Sequence, residues 1–194
     1  MKSVKTTIAS ALMKGLVFTE FLEMVESKFG YEVLDRLTSL PSLKGHGAYT
    51  SVGNYPHGEM LKMLDELHGA VGLPHQELIM AFAEWLFGTF LKVHPEFFER
   101  VNGSFDFLNG IETVIHSEVR RLYPDARLPD FECERRTDTE LIMDYSSWRP
   151  FADLAEGLIR ASSAHFNENI KIIRESGPTG DCRSARFILK RIDS

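Results

Sequence analysis

The spacing of hydrophobic residues changes once along this chain, at about residue 125, and that change constrains the fold more than any other feature. Before it, apolar residues recur every three to four positions, as on one face of a helix. Val17, Phe21, Met24, Val25 and Phe29 predict a first helix from Lys14 to Phe29, stopped at Gly30. A shorter helical run with Val33, Leu34 and Leu37 ends at Pro41. Residues 42–56 carry Gly45, Gly47, Gly53 and Pro56 and read as a connector. Met60, Leu64, Leu67 and Val71 define the next helix, closed by Gly72 and Pro74. Leu78, Phe82, Leu86, Phe90 and Val93 define another, with Ile79, Ala83, Trp85 and Phe87 filling its other faces, the pattern of a central buried helix. After Gly103, a helix from Phe105 to Tyr123 carries Leu108, Ile111, Ile115, Val119 and Leu122 as its stripe, with His116 on the flank of that stripe.

Beyond this point short runs bounded by turn residues take over. Phe131 to Arg135 and Glu140 to Tyr145 predict a hairpin across Arg136-Thr137-Asp138-Thr139. A helix opens at Pro150 and runs to about His165, with Phe151, Leu154, Leu158 and Ala161 on one side. Ile170 to Glu175 and Ala185 to Ile192 predict a second strand pair. The fold class is therefore α+β: a helical N-terminal part, then helices packed on a roughly four-stranded antiparallel sheet.

Composition removes several function classes. The formal charge of −6 comes from 28 acidic and 22 basic residues, with no basic run longer than Arg120-Arg121 or Arg135-Arg136, which argues against a nucleic-acid footprint. No stretch approaches the ~18 consecutive apolar residues that a membrane span needs. Cys133 and Cys182 are the only cysteines; they fit a reducing cytoplasm and read as plain buried thiols. Fourteen phenylalanines imply bulky core packing and leave room for a flat apolar pocket.

Two features carry chemistry. Tyr145, Ser147 and Arg149 project the same way from an extended run, which Pro150 helps keep extended. A phenol, a hydroxyl and a guanidinium in a row suit carboxylates: those of a haem, of a substrate acid, or of an internal Asp or Glu. His116 precedes Tyr145 by 29 positions. The other histidines show no H-x-x-x-H or H-E-x-x-H spacing, so a helix-borne zinc site is not expected. A lone histidine is either a core residue bonded to a backbone carbonyl or a ligand in a setting that needs only one, as in haem, where the porphyrin supplies four nitrogens and the protein one axial imidazole.

On these residues the chain resembles the haem-nitric oxide/oxygen-binding family, H-NOX, related to the haem domain of soluble guanylate cyclase. The likeness runs from Met13-Lys14-Gly15 to the last strand, leaving residues 1–12 as an N-terminal extension and 13–194 as one haem-binding domain with lobes at about 13–72 and 73–194. The resemblance implies haem b as cofactor, His116 as axial iron ligand, and Tyr145, Ser147 and Arg149 on the propionates. It also implies that Pro129 presses on the haem and distorts it. By the same register Val17, Phe90, Leu154 and Leu158 would line the gas side. Oxygen-holding members carry a tyrosine where this chain has Leu154, so NO and CO are the expected ligands and O₂ is excluded. Some members bind zinc through cysteines and histidines near the last strand pair; only Cys182 remains here, and no zinc is expected.

These resemblances imply a cytoplasmic NO sensor and no enzyme. NO binding would release His116 and relax the helix and haem, and the signal would pass to a separate histidine kinase or cyclic-di-GMP enzyme. Two alternatives stay open on the residues alone. One is a haem-free regulatory module that grips an apolar carboxylate ligand with Arg149 and Tyr145. The other is an enzyme using His116 as general base, for which the sequence offers neither a nucleophile motif nor a second catalytic carboxylate.

Overall fold

The computed structural model describes residues 12–44, 47–177 and 180–192, so all of the expected extension except Leu12 lies outside the described residues. The chain is α+β, helical first and mixed second. Strand β1 (Leu12–Lys14) leads directly into helix α1 (Gly15–Phe29) and pairs antiparallel with β2 (Asn54–Pro56), Met13 facing Tyr55. Three-residue strands are too short to show a period, so the connector expected over residues 42–56 conceals one. Gly15 is required where β1 meets α1. Its N–H donates to Gly53 O at 2.8 Å, and a Cβ there would lie only 1.9 Å from Thr50 O. Because that obstacle is backbone, Gly15→Ala is expected to cost about 1–3 kcal/mol in urea unfolding; a wild-type midpoint would contradict this.

Helix α1 buries Phe21, Met24 and Val25 as the spacing predicts, and Phe18, which it did not single out, while Val17 and Phe29 are half-buried. Helices α2 (Tyr31–Thr38) and α3 (His57–Val71) follow, the latter closed by Gly72 at φ 75°, a left-handed cap that glycine adopts freely. Helix α4 (His75–Val93) is the long apolar one. The chain divides into two compact units between Leu86 and Phe87, inside α4, and not at the Gly72–Pro74 break that the expected lobes use. The apolar coverage of α4 explains this. Its first half packs into the first unit, where Phe82 meets Phe21 edge-on at 5.3 Å and Trp85 Nε1 donates to Glu20 at 3.0 Å. Phe87 belongs to the second, against Phe98 at 5.4 Å.

The second unit holds the main correction to the sequence reading. The single helix expected from Phe105 to Tyr123 is three pieces: α5 (Ser104–Asn109), a wide π turn (Ile111–Ile115) and α6 (His116–Leu122). A π turn shifts the phase of all that follows, and such turns concentrate at functional positions. Leu122, expected in the stripe, is consequently 48% exposed, while Ile111, Ile115 and Val119 are half-buried.

Strands β3 (Asp130–Arg135), β4 (Glu140–Ser146), β5 (Ile170–Ser176) and β6 (Ser184–Arg191) form an antiparallel sheet in the order β3-β4-β6-β5. Ala185, Phe187 and Leu189 are buried at every second position of β6, the strand period. With Phe105, Leu108, Leu141 and Met143 they form a core against Ala155 and Ile159 of helix α7 (Ala152–His165). That helix starts two residues later than Pro150. No helix of the described residues is long and apolar enough to cross a membrane.

Candidate functional site

His116 is the first residue after the π turn and is 9% exposed. Its Nδ1 donates to Glu112 Oε2 at 2.9 Å, so the bond goes to a carboxylate and not to a backbone carbonyl. The other nitrogen, Nε2, is then the one with a lone pair to offer. Burial is the largest influence on the imidazole and holds it below its ordinary range despite the opposing pull of Glu112, which favours the neutral ring that a metal needs. Arg120 donates to Oε1 of the same glutamate. Burial works against the Glu112 charge, but hydrogen bonds from Arg120 and His116 outweigh it and keep the carboxyl below its usual range.

The ring of Phe131 bridges the two halves of the site, 5.8 Å from His116 and 5.4 Å from Tyr145. The β3–β4 register sets Phe131 directly opposite Tyr145. The row is only partly extended. Strand β4 ends at Ser146; Ser147 N–H donates to Arg183 O at 2.8 Å, and the chain then bends through Trp148 to Pro150. Within the bend Ser147 Oγ accepts from Arg149 N–H at 3.1 Å, a local side-chain-to-backbone bond. Burial still alternates, with Tyr145 at 4% and Arg149 at 7% on one side and Trp148 at 70% on the other. The Arg149 guanidinium donates to the carbonyl of Arg127, tying the Arg127-Leu128-Pro129 segment to the row. Burial pushes the Tyr145 phenol up, so at neutral pH it is a donor; its bond to Ser147 and the charge of Arg149 pull the other way. Burial lowers Arg149, with Tyr145 opposing.

Phe131 thus stands between His116 and Tyr145, and the Tyr145 phenol bonds Ser147 and feels the charge of Arg149. Pro129 is half-buried two residues before that ring. Phe90 and Leu158 pack half-buried against the core of the same unit, and Leu154 is half-buried one turn before Leu158 on α7. Val17 lies on α1 in the other unit. Glu112, Arg120 and Phe131 are the residues that sequence reasoning misses. The spacing Glu112, His116, Arg120, one per helical turn, is the signal that could have found the first two.

The two cysteines are free and half-buried. Cys133 Sγ lies 3.7 Å from Leu108 O, and burial, with Asp144 and Glu112 adding, pushes its thiol up to about 11. Only about one Cys133 in a thousand is then thiolate at a pH of about 8. Alkylation of Cys133 by iodoacetamide is expected to be slow there and to accelerate towards pH 11; a rate at pH ~8 equal to that of a free thiol would contradict this. Cys182 receives a bond from Arg174 Nη2 at 3.7 Å. Among the described residues no cluster of three His, Cys, Asp or Glu could hold a metal ion.

An α+β unit carrying a helix-borne imidazole beside a tyrosine-serine-arginine row defines a class of ligand-binding domain, and comparison with known proteins gives its family. The model of the haem-NO-binding family matches residues 14–174, and the chain belongs to that family. It is similar to the unliganded Fe(II) H-NOX protein from K. algicida, at 36% identity and a TM-score of 0.86, over 94% of this chain and 98% of that one. It is also similar to the H-NOX from Shewanella woodyi, solved with IWP-051 in the Fe(II)CO state, at 39% identity and TM-score 0.80, over 93% and 95% of the two chains. The H-NOX protein from S. oneidensis in the Fe(II)NO state matches at 25% identity and TM-score 0.84, over 93% of this chain and all of that one. No curated protein matched.

Proposed function

We propose that the chain is a haem-based gas sensor that binds NO and CO, excludes O₂ and signals to a separate effector protein without acting as an enzyme. The observation that carries this reading is the line His116–Phe131–Tyr145: a buried neutral imidazole with Nε2 to offer, one ring away from three donors suited to carboxylates. That donor set fits haem b, with His116 as the axial ligand and Tyr145, Ser147 and Arg149 on the propionates. Bound haem would supply a ferrous iron, held by His116, that takes up a diatomic gas.

The chain's own residues do the rest. Glu112 holds the proton on Nδ1 and keeps Nε2 aimed away from it. Pro129, in the segment tied to Arg149, would press on the bound cofactor, and Val17, Phe90, Leu154 and Leu158 would line the gas side with apolar groups alone. Release of His116 would free α6, which follows the π turn and runs to Leu122, to take a second position that a partner could read. A cytoplasmic histidine kinase or cyclic-di-GMP enzyme is the partner class this reading names. The absorbance spectrum of protein expressed with a haem supply tests it. A Soret band that moves with NO and with CO but not with air is expected; the absence of any Soret band would end the reading.

A further inference from the structure

We propose that Glu112 is a positioning residue that sets the donor strength of His116 towards the iron, and that Arg120 tunes it from the far oxygen. The inference rests on His116 being the axial ligand. Glu112 offers one oxygen to each neighbour: Oε2 accepts from His116 Nδ1 at 2.9 Å and Oε1 accepts from Arg120. The three side chains grade from inside to outside, with His116 11%, Glu112 30% and Arg120 43% exposed, so the relay runs from the buried ring to the surface of the helix. Glu112 itself sits in the π turn, the segment whose altered phase precedes His116.

The two ends of this relay act in opposite senses. A carboxylate accepting from Nδ1–H pushes electron density towards Nε2 and strengthens the bond to a metal there. Arg120 draws charge to Oε1 and weakens that push. How easily the axial bond breaks is thereby set on the protein surface, and anything that engages the Arg120 side chain would alter it.

The test uses ferrous full-length protein, read by the iron–imidazole stretch in resonance Raman and by the rate of haem transfer to apomyoglobin. Glu112→Gln keeps the shape and loses the charge. Its stretch is expected to move down, and haem loss to quicken on the order of tenfold. Arg120→Met is expected to move both the other way. A role for Glu112 in holding the helix alone would leave the stretch unchanged in both variants, or shift both in one direction, and either result overturns the proposal. Wild-type protein that carries haem but shows no iron–imidazole stretch would instead remove His116 as the ligand, and the proposal with it. An intact wild-type stretch that Glu112→Gln leaves unmoved overturns the tuning while sparing the sensor.

Discussion

Replacing His116 with glycine is expected to yield a folded protein that purifies without haem and recovers its Soret band when imidazole is added to the medium. The imidazole is buried beside Phe131 and bonded to Glu112, so the substitution leaves a cavity of its own shape, with a carboxylate on one wall ready to accept from an exogenous ring. Removing a neighbour of a metal ligand typically weakens metal binding roughly 10–100-fold, and removing the ligand itself should exceed that. The buried apolar core of its unit is built from residues the substitution leaves in place, among them Phe105, Leu108, Phe187 and Leu189, so the fold should persist. Circular dichroism checks the fold and absorbance checks the cofactor. The same variant separates the sensor from a haem-free module that grips a carboxylate with Arg149 and Tyr145. Such a module would hardly notice the change, and an unaltered haem content in the variant would remove His116 from the role assigned to it.

Leu154→Tyr is expected to give a protein that holds O₂ in air. The leucine is half-buried on α7, one turn before Leu158. A phenol on that stem adds one hydrogen-bond donor to the gas side proposed above. Oxygen bound to ferrous haem carries partial negative charge, and a hydrogen bond to it contributes about 1–3 kcal/mol, roughly 5- to 150-fold in affinity. NO and CO depend far less on such a bond, so their spectra should change little. Overpacking works against this gain by about 1–3 kcal/mol at a filled site, less where the residue is only half-buried. Flash photolysis in air-equilibrated buffer measures the outcome. A variant that keeps its haem, binds CO and still shows no O₂ rebinding would sink the claim that position 154 chooses the gas.

Much of this architecture is local, and local features are legible in a sequence. The switch from a 3.6-residue to a 2-residue period predicts the α+β class and the four strands within a residue or two. Phe21, Met24 and Val25, three or four positions apart or adjacent, are buried on one side of α1 because helix geometry puts that spacing on one face. Other features escape such reading. The β1–β2 pair is three residues long on each side and joins segments about forty residues apart, so no window contains it. The bend after Ser146 contains a local bond from Arg149 N–H to Ser147 Oγ, which no hydrophobic period announces.

What the sequence determines by itself is the order and kind of the groups: one helix-borne imidazole at 116, and a phenol, a hydroxyl and a guanidinium at 145, 147 and 149. What only the tertiary structure decides is how they meet. The register of β3 on β4 sets Phe131 opposite Tyr145 and beside His116, joining two segments 29 residues apart. The π turn sets which way the helix presents its imidazole, and so which carboxylate it finds. Both are outcomes of packing between distant residues. A strand's period fixes which face a side chain takes, but register fixes which neighbour it has, and register is chosen by the whole sheet and the core beneath it.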